Sequence, residues 1–311
     1  MITLEDVLAA RTRIKGKVRH TPMMPATQMR NGLAPLDVTL KIESLQVTGS
    51  FKARGAMNKV LTLSPKQIAK GLVTASGGNH GLAMARTGYV AGVKTTIYLP
   101  SSVVPDKVAK LRGWNADVQI VGSVFDEANE AALAFARETG AAYVHPFADP
   151  LVVAGQGTLG LEVLDDMPDV DTVLIAIGGG GLITGMATAM KAKKPSIRII
   201  GIEPVGAPTL KASLDAGHVV TLDAVTTKVA TMASRRTDEA LFAHVRDKID
   251  DMILVSDEEM EEAAKSLWFE FGLATDLSGA ASLAALRSGR MSFRPGERIC
   301  ALVCGAGADG V

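Results

Sequence analysis

Aromatic residues make up only 4% of the 311-residue chain, so a core must be built from Ala, Val, Leu, Ile and Met. Cysteine is scarcer still, with Cys300 and Cys304 the two present. They lie four residues apart along a probable strand. At about 3.3 Å per residue their backbones are about 13 Å apart, too far for a disulfide. No second Cys/His pair lies near them in sequence, which argues against zinc, and such sparing cysteine use fits a reducing cytoplasm. Net charge is absent, with 33 basic against 33 acidic residues. No broad basic field exists to attract nucleic acid or an anionic membrane. The longest uncharged stretch, Val173 to Met190, is interrupted by five glycines and reads as a strand followed by a helix, which excludes a membrane span. The charged, amphipathic start MITLEDVLAARTRIKGK lacks the apolar centre of a signal peptide.

What the chain does have is 47% hydrophobic residues and 31 glycines, suited to a large interior crossed by many tight turns. Short β-rich runs predict strands at 38–44, 72–76, 95–100, 116–121, 171–177, 197–203, 251–256 and 298–303, several of them near-continuous apolar runs. Helical patterns lie between them. Ser64-Pro65 with Gln67, and Ser256 with Glu259, have the spacing of capping boxes. The alternation predicts an α/β fold with parallel sheets and right-handed crossovers.

Three islands carry residues suited to chemistry. The first is Thr48-Gly49-Ser50-Phe51-Lys52-Ala53-Arg54-Gly55-Ala56. With Ser50 as a helix cap, Lys52 falls in the first helical turn, and the helix dipole and Arg54 both disfavour its protonation. A lysine of lowered pKa suits a Schiff base, although the residues alone also fit a solvated surface lysine. The second is Ser76-Gly77-Gly78-Asn79-His80-Gly81, between a strand and a helix. It can aim N–H groups at an anion or serve as a plain tight turn, and His80 taken alone reads as structural. The third is Gly178-Gly179-Gly180-Gly181-Leu182 after the strand TVLIAI, a backbone able to wrap a phosphate at a helix N-terminus.

The third island, followed by a strand and Glu203, also has the layout of a nicotinamide dinucleotide unit. The G-x-G-x-x-G fingerprint fails, however. Ile183 or Thr184 stands at its last glycine, depending on the start. That alternative also leaves the first two islands unused.

Taken together and in this order, the islands resemble the pyridoxal-phosphate-dependent serine/threonine dehydratase family, which is tryptophan-synthase-beta-like and contains serine racemase. The likeness runs from His20-Thr21-Pro22 through Glu43–Ala56, the Ser76–Gly81 turn, His145-Pro146-Phe147, Gly155-Gln156-Gly157-Thr158 and the tetraglycine to Cys304-Gly305. The resemblance implies fold type II, with two three-layer αβα domains and mostly parallel sheets around a cofactor cleft. The smaller domain would span about 48–146, and the larger would combine 1–47 with 147–311. It implies that Lys52 carries pyridoxal 5'-phosphate as a Schiff base and moves the Cα proton, with Phe51 beside the ring. Asn79 would meet the phenolic oxygen, Gly178, Gly179, Gly180, Gly181 and Leu182 the phosphate, and Cys304 the pyridine nitrogen. Ser76, Gly77, Gly78, Asn79 and His80 would take the substrate carboxylate.

The activity so implied is elimination of water from L-threonine, L-serine or a related β-hydroxy amino acid, giving an α-keto acid and ammonia. A cytoplasmic homodimer acting on a small amino acid follows from the same likeness. Three departures matter. Gly77 stands where racemases of the family carry a serine acid, so racemisation is expected to be weak or absent. Thr209 stands where the family's divalent-metal site has its second carboxylate, while Glu203 and Ala207 match, so no strong Mg²⁺ site is expected. Phe147 replaces an asparagine of some relatives. The chain ends soon after Cys304, where biosynthetic threonine deaminases carry a regulatory domain, which leads to the expectation of a catabolic role without isoleucine feedback. A β-replacement synthase, a racemase, a nicotinamide-dependent dehydrogenase and a non-catalytic binding module stay open as alternatives.

Overall fold

The computed structural model describes residues 2–26, 29–30, 33 and 35–311. Ten strands form two sheets among the described residues: β1 Met23–Pro25, β2 Asp37–Ile42, β3 Leu72–Ala75, β4 Thr95–Leu99, β5 Asp117–Ile120, β6 Ala142–Tyr143, β7 Thr172–Ala176, β8 Arg198–Pro204, β9 Asp251–Val255 and β10 Arg298–Val303. The larger sheet runs β1-β2-β10-β7-β8-β9, and the smaller runs β5-β4-β3-β6. Every pairing is parallel except β1 with β2. This is the α/β architecture with mostly parallel sheets that the sequence predicts, and all eight predicted strands are present.

Burial explains the runs. All five residues of β7 are buried, so both of its faces are covered. The period of two shows cleanly on β3. Leu72 packs with Ala53, Ala56, Val60 and Met84, whereas Val73 and Ala75 face the opposite way into a cluster with Ala132. The small sheet is therefore the middle of three layers. The large sheet is buried by two helix pairs, Pro150–Asp166 with Gly181–Lys193 and Asp257–Phe271 with Leu277–Arg287, in one continuous aliphatic core.

The capping boxes at Ser64/Gln67 and Ser256/Glu259 form as predicted. Ser50 does not cap a helix. Its backbone is extended because it bridges to Gly305, and its hydroxyl is buried with no hydrogen-bond partner. The helix starts one residue after Phe51, at Lys52, with no side-chain cap. Cys300 and Cys304 are buried free thiols, the second one residue beyond β10.

Parallel strands send their carboxyl ends to one edge, where ligands of open α/β sheets bind. β2 leads to Glu43–Lys52, β7 to the tetraglycine and β10 to Cys304. From the small sheet, β3 leads to Ser76–His80 and β6 to His145–Phe147. Among the described residues, no helix is long and apolar enough to cross a membrane.

Candidate active site

A chain of contacts links the three islands. The Lys52 ammonium donates to the Pro146 carbonyl at 2.8 Å and lies 5.1 Å from the centre of the Phe51 ring. The Phe51 N–H donates to the Cys304 carbonyl at 3.4 Å. On the other side of Lys52, Phe147 packs directly on the tetraglycine, and a side chain at Gly179 or Gly181 would collide with it. His145 fixes that segment, because its Nδ1 accepts from the Phe147 and Ala148 N–H groups.

Burial lowers the Lys52 pKa to about 8, against a smaller opposing effect of Cys304. The direction matches the sequence expectation and Lys52 does open a helix, but burial is the main cause. Arg54 is paired with two carboxylates. Its Nε and Nη2 reach Glu43 at 2.8 and 2.6 Å, and its Nη1 reaches Glu162 at 2.9 Å. The fully buried Lys41 bridges Glu162 and Asp166, at 2.8 Å from each. His20, Glu162 and Asp166 have metal-ligand spacing, but the Lys41 and Arg54 cations already neutralise the acids.

Asn79 opens the helix Asn79–Ala91, and its Nδ2 donates to Asp276 at 2.9 Å. Asp276 also accepts from Ser278 Oγ and the Gly279 N–H, both at 2.7 Å. Burial raises its pKa, and these donors oppose the rise. The Cys304 thiol is pushed up to about 12 by burial and by Asp276, so it stays neutral, and it donates to the Ser278 carbonyl at 3.3 Å. Burial and the neighbouring Lys52 drive His80 down to about 3. Its ring is neutral, with Nε2 on the Val144 carbonyl at 3.1 Å. Ser76 Oγ accepts from the Gly78 N–H, which shapes the turn. A cavity of about 340 Å³ opens beside Asn79, bounded by Thr48, Leu82, Lys110, Trp114 and Ala306-Gly307.

The residues fit pyridoxal phosphate. The N–H groups of Gly178, Gly179 and Gly180 have no backbone acceptor among the described residues, and the first N–H groups of the helix Gly181–Lys193 have none within that helix. Gly180 sits at φ +93, a left-handed turn that side-chain-bearing residues disfavour. A phosphate there would meet several donors at once. An imine-forming lysine, an amide donor and a buried neutral thiol follow strands of the same two sheets, and these are the chemical types such a cofactor needs. The second acid site is different. Glu203 accepts from the Leu210 and Lys211 N–H groups at 2.7 and 2.9 Å, capping the helix Thr209–Ala216, and burial raises its pKa to about 7.

Sequence reasoning missed Asp276 and the Pro146 carbonyl. Asp276 carries a local signal as the N-cap of the helix Leu277–Arg287, but that signal reads as structural.

A parallel α/β fold with a lysine, a glycine cradle and a neutral thiol at one edge defines a class of cofactor enzyme. The family model described as pyridoxal-phosphate dependent enzyme matches residues 14–305, and the chain belongs to that family, whose cofactor is pyridoxal phosphate. It is 40% identical to the L-threonine ammonia-lyase of Geobacter sulfurreducens over 97% of this chain and 75% of that protein. It is 36% identical to the L-threonine ammonia-lyase of Thermotoga maritima over 99% and 76%. The structure of maize serine racemase superposes with a TM-score of 0.93 at 32% identity, covering 98% of this chain and 93% of that one. The fold is that of the fold type II pyridoxal-phosphate enzymes.

Proposed function

We propose that the protein is a dehydratase that eliminates water from L-threonine, L-serine or a related β-hydroxy amino acid, releasing an α-keto acid and ammonia. The observation that carries this reading is Lys52, whose amine is easily deprotonated and is held on Pro146 between the glycine cradle and Cys304. Similarity over 97–99% of this chain, and 75–76% of theirs, to two threonine ammonia-lyases supports the choice of reaction.

In this reading Lys52 would hold the cofactor, and its amine would take the Cα proton of the bound amino acid. Bound pyridoxal phosphate supplies the electron sink for that deprotonation. Gly178 to Leu182 would hold the phosphate through N–H groups. Asn79 would donate to the phenolic oxygen, and Phe51 would stand beside the ring. Cys304, a neutral thiol, would be the residue at the pyridine nitrogen, where it would not force protonation and so would favour elimination over transamination. The turn Ser76 to His80 binds the substrate carboxylate and so orients the Cα–H bond. The smaller domain is assigned to about 48–146, the rest of the chain to the larger one, and the active form to a cytoplasmic homodimer.

The test is keto-acid release from L- and D-serine, L- and D-threonine, hydroxyaspartate and phenylserine, with wild type and Lys52→Ala. Keto acid from any of them, lost in the variant, is the expected result. Cofactor-loaded wild type that is silent across the panel would overturn elimination in favour of β-replacement.

A further inference from the structure

We propose that Asp276 is a positioning residue that sets which end of the Asn79 carboxamide faces the cofactor. The proposal rests on reading the cleft as a pyridoxal phosphate site. An asparagine amide can present either its NH₂ or its oxygen, and only the surrounding hydrogen bonds decide between them. Asp276 Oδ2 lies 2.9 Å from Asn79 Nδ2. Asp276 Oδ2 accepts from Asn79 Nδ2 while Oδ1 already accepts two other donors, so the carboxyl acts as an acceptor and the Asn79 NH₂ is turned toward it. The second N–H of that NH₂ is then free to donate to an anionic oxygen. Rotating the amide by half a turn would set its oxygen against both acceptors.

Asp276 is itself immobilised. Its other oxygen holds the Gly279 N–H and Ser278 Oγ, both at 2.7 Å, as the cap of the helix Leu277–Arg287. Its main-chain N–H donates to the Gly305 carbonyl, and a side chain at Gly305 or Gly307 would fall 2.6–2.8 Å from Asp276 atoms. The acid is therefore wedged between the segment after Cys304 and Asn79. Asn79 follows β3 of the small sheet, whereas Asp276 caps a helix packed on β10 of the large one. The hydrogen bond crosses between the two units and carries the rigidity of the larger to the amide.

The experiment is titration of the apoprotein with pyridoxal phosphate, followed by the pH dependence of the absorption of the Lys52-bound cofactor. It uses wild type, Asp276→Ala, Asp276→Asn, Asn79→Ala and the double variant Asp276→Ala/Asn79→Ala. We expect Asp276→Ala and Asn79→Ala each to weaken cofactor binding about tenfold, the loss of one hydrogen bond to a charged group. Both should move the pH midpoint of the absorption in the same direction. The double variant should lose no more than either single one, because the two act as a unit. Asp276→Asn keeps the shape and an acceptor for the cap but no longer dictates the amide orientation, so it should fall between wild type and Asp276→Ala. An unchanged midpoint and affinity in Asp276→Ala, or losses that multiply in the double variant, would overturn the proposal. If Asp276→Ala does not fold, Asp276→Asn decides by the same two readouts. Because the readout is bound cofactor, a wild type inactive on every β-hydroxy amino acid overturns the elimination reading alone.

Discussion

The Lys52 ammonium has the Pro146 carbonyl, 2.8 Å away, as its hydrogen-bond acceptor, and among the described residues no carboxylate pairs with it. A carbonyl offers a dipole where an acid would offer a full charge, so burial wins and the pKa falls to about 8. Only the neutral amine attacks an aldehyde. The rate at which apoprotein takes up pyridoxal phosphate should therefore rise about tenfold per pH unit below 8 and level off above it. Stopped-flow absorption checks this. A rate still climbing between pH 9 and 10 would place Lys52 near its ordinary value.

The same shift makes a stability prediction. Between pH 8 and 10.5 the unfolded chain keeps a proton on Lys52 that the folded apoprotein has lost. Stability contributed by this site therefore rises with pH across that window and is at its lowest below it. Apoprotein Lys52→Met should melt at a higher temperature than wild type at pH 7, and the gap should close as pH rises past 8. Equal melting temperatures at pH 7 would contradict the buried ammonium.

Arg54 predicts a different kind of loss. It is 2% exposed and pairs with Glu43, at 0%, and with Glu162. Removing one partner of a buried network strands the other charges. Arg54→Met should thus destabilise the protein by about 3–5 kcal/mol in urea unfolding. Burial would raise the Glu162 pKa, but Arg54 and Lys41 outweigh it and hold the acid at about 2. Its contribution is complete above about 4.5 and is lost as pH falls through about 2. In Arg54→Met that acid loss should begin closer to neutral pH.

The fold was largely legible in the sequence because short strands, several of them buried on both faces, leave β-rich apolar runs that alternate with well-marked helix starts. β1 and β6 escaped, being three and two residues long, too short for a period to show. The site was legible in its local pieces. Lys52, the tetraglycine and the Ser76–His80 turn can each be picked out locally, but only their occurrence together, and the resemblance it carries, sets the first and last apart from a surface lysine and a plain turn. What escaped was whatever depends on distant partners. Arg54 reads as a neighbour of Lys52 until Glu43 and Glu162, 11 and 108 positions away, are seen to hold it. Ser50 reads as a cap until its bridge to Gly305 extends its backbone. Asp276 meets Asn79 across 197 positions, a pairing no local pattern encodes.

The tetraglycine is constrained by packing as well as by any ligand. A Cβ at Gly179 would enter the Phe147 ring, which His145 holds edge-on at 4.6 Å. Gly179→Ala must displace that ring, at a cost of about 1–3 kcal/mol. The displacement falls on the segment that carries Pro146, the acceptor of Lys52. The variant should fold with a lowered melting temperature and bind pyridoxal phosphate at least about tenfold more weakly, for loss of at least one charge-assisted bond. Wild-type affinity by fluorescence titration would show that the ring yields without disturbing the cradle.

Gly77 offers the sharpest test of reaction outcome. Glycine has no group to protonate Cα from the face opposite Lys52, so wild type given L-serine should release keto acid and no D-serine. A Cβ at this position would stand 3.3 Å from Leu99 Cδ2 and from Val103 Cγ2. Both are ends of side chains that can give by a few tenths of an ångström, so Gly77→Ser should fold. Its hydroxyl would enter the turn proposed to bind the substrate carboxylate, the position at which the resemblance places the acid of the family's racemases. Chiral chromatography of the reaction mixture should then find D-serine from the variant alone, alongside continued keto-acid release. D-serine from wild type would mean that a different group protonates that face, and Gly77→Ser would then leave the enantiomer ratio unchanged.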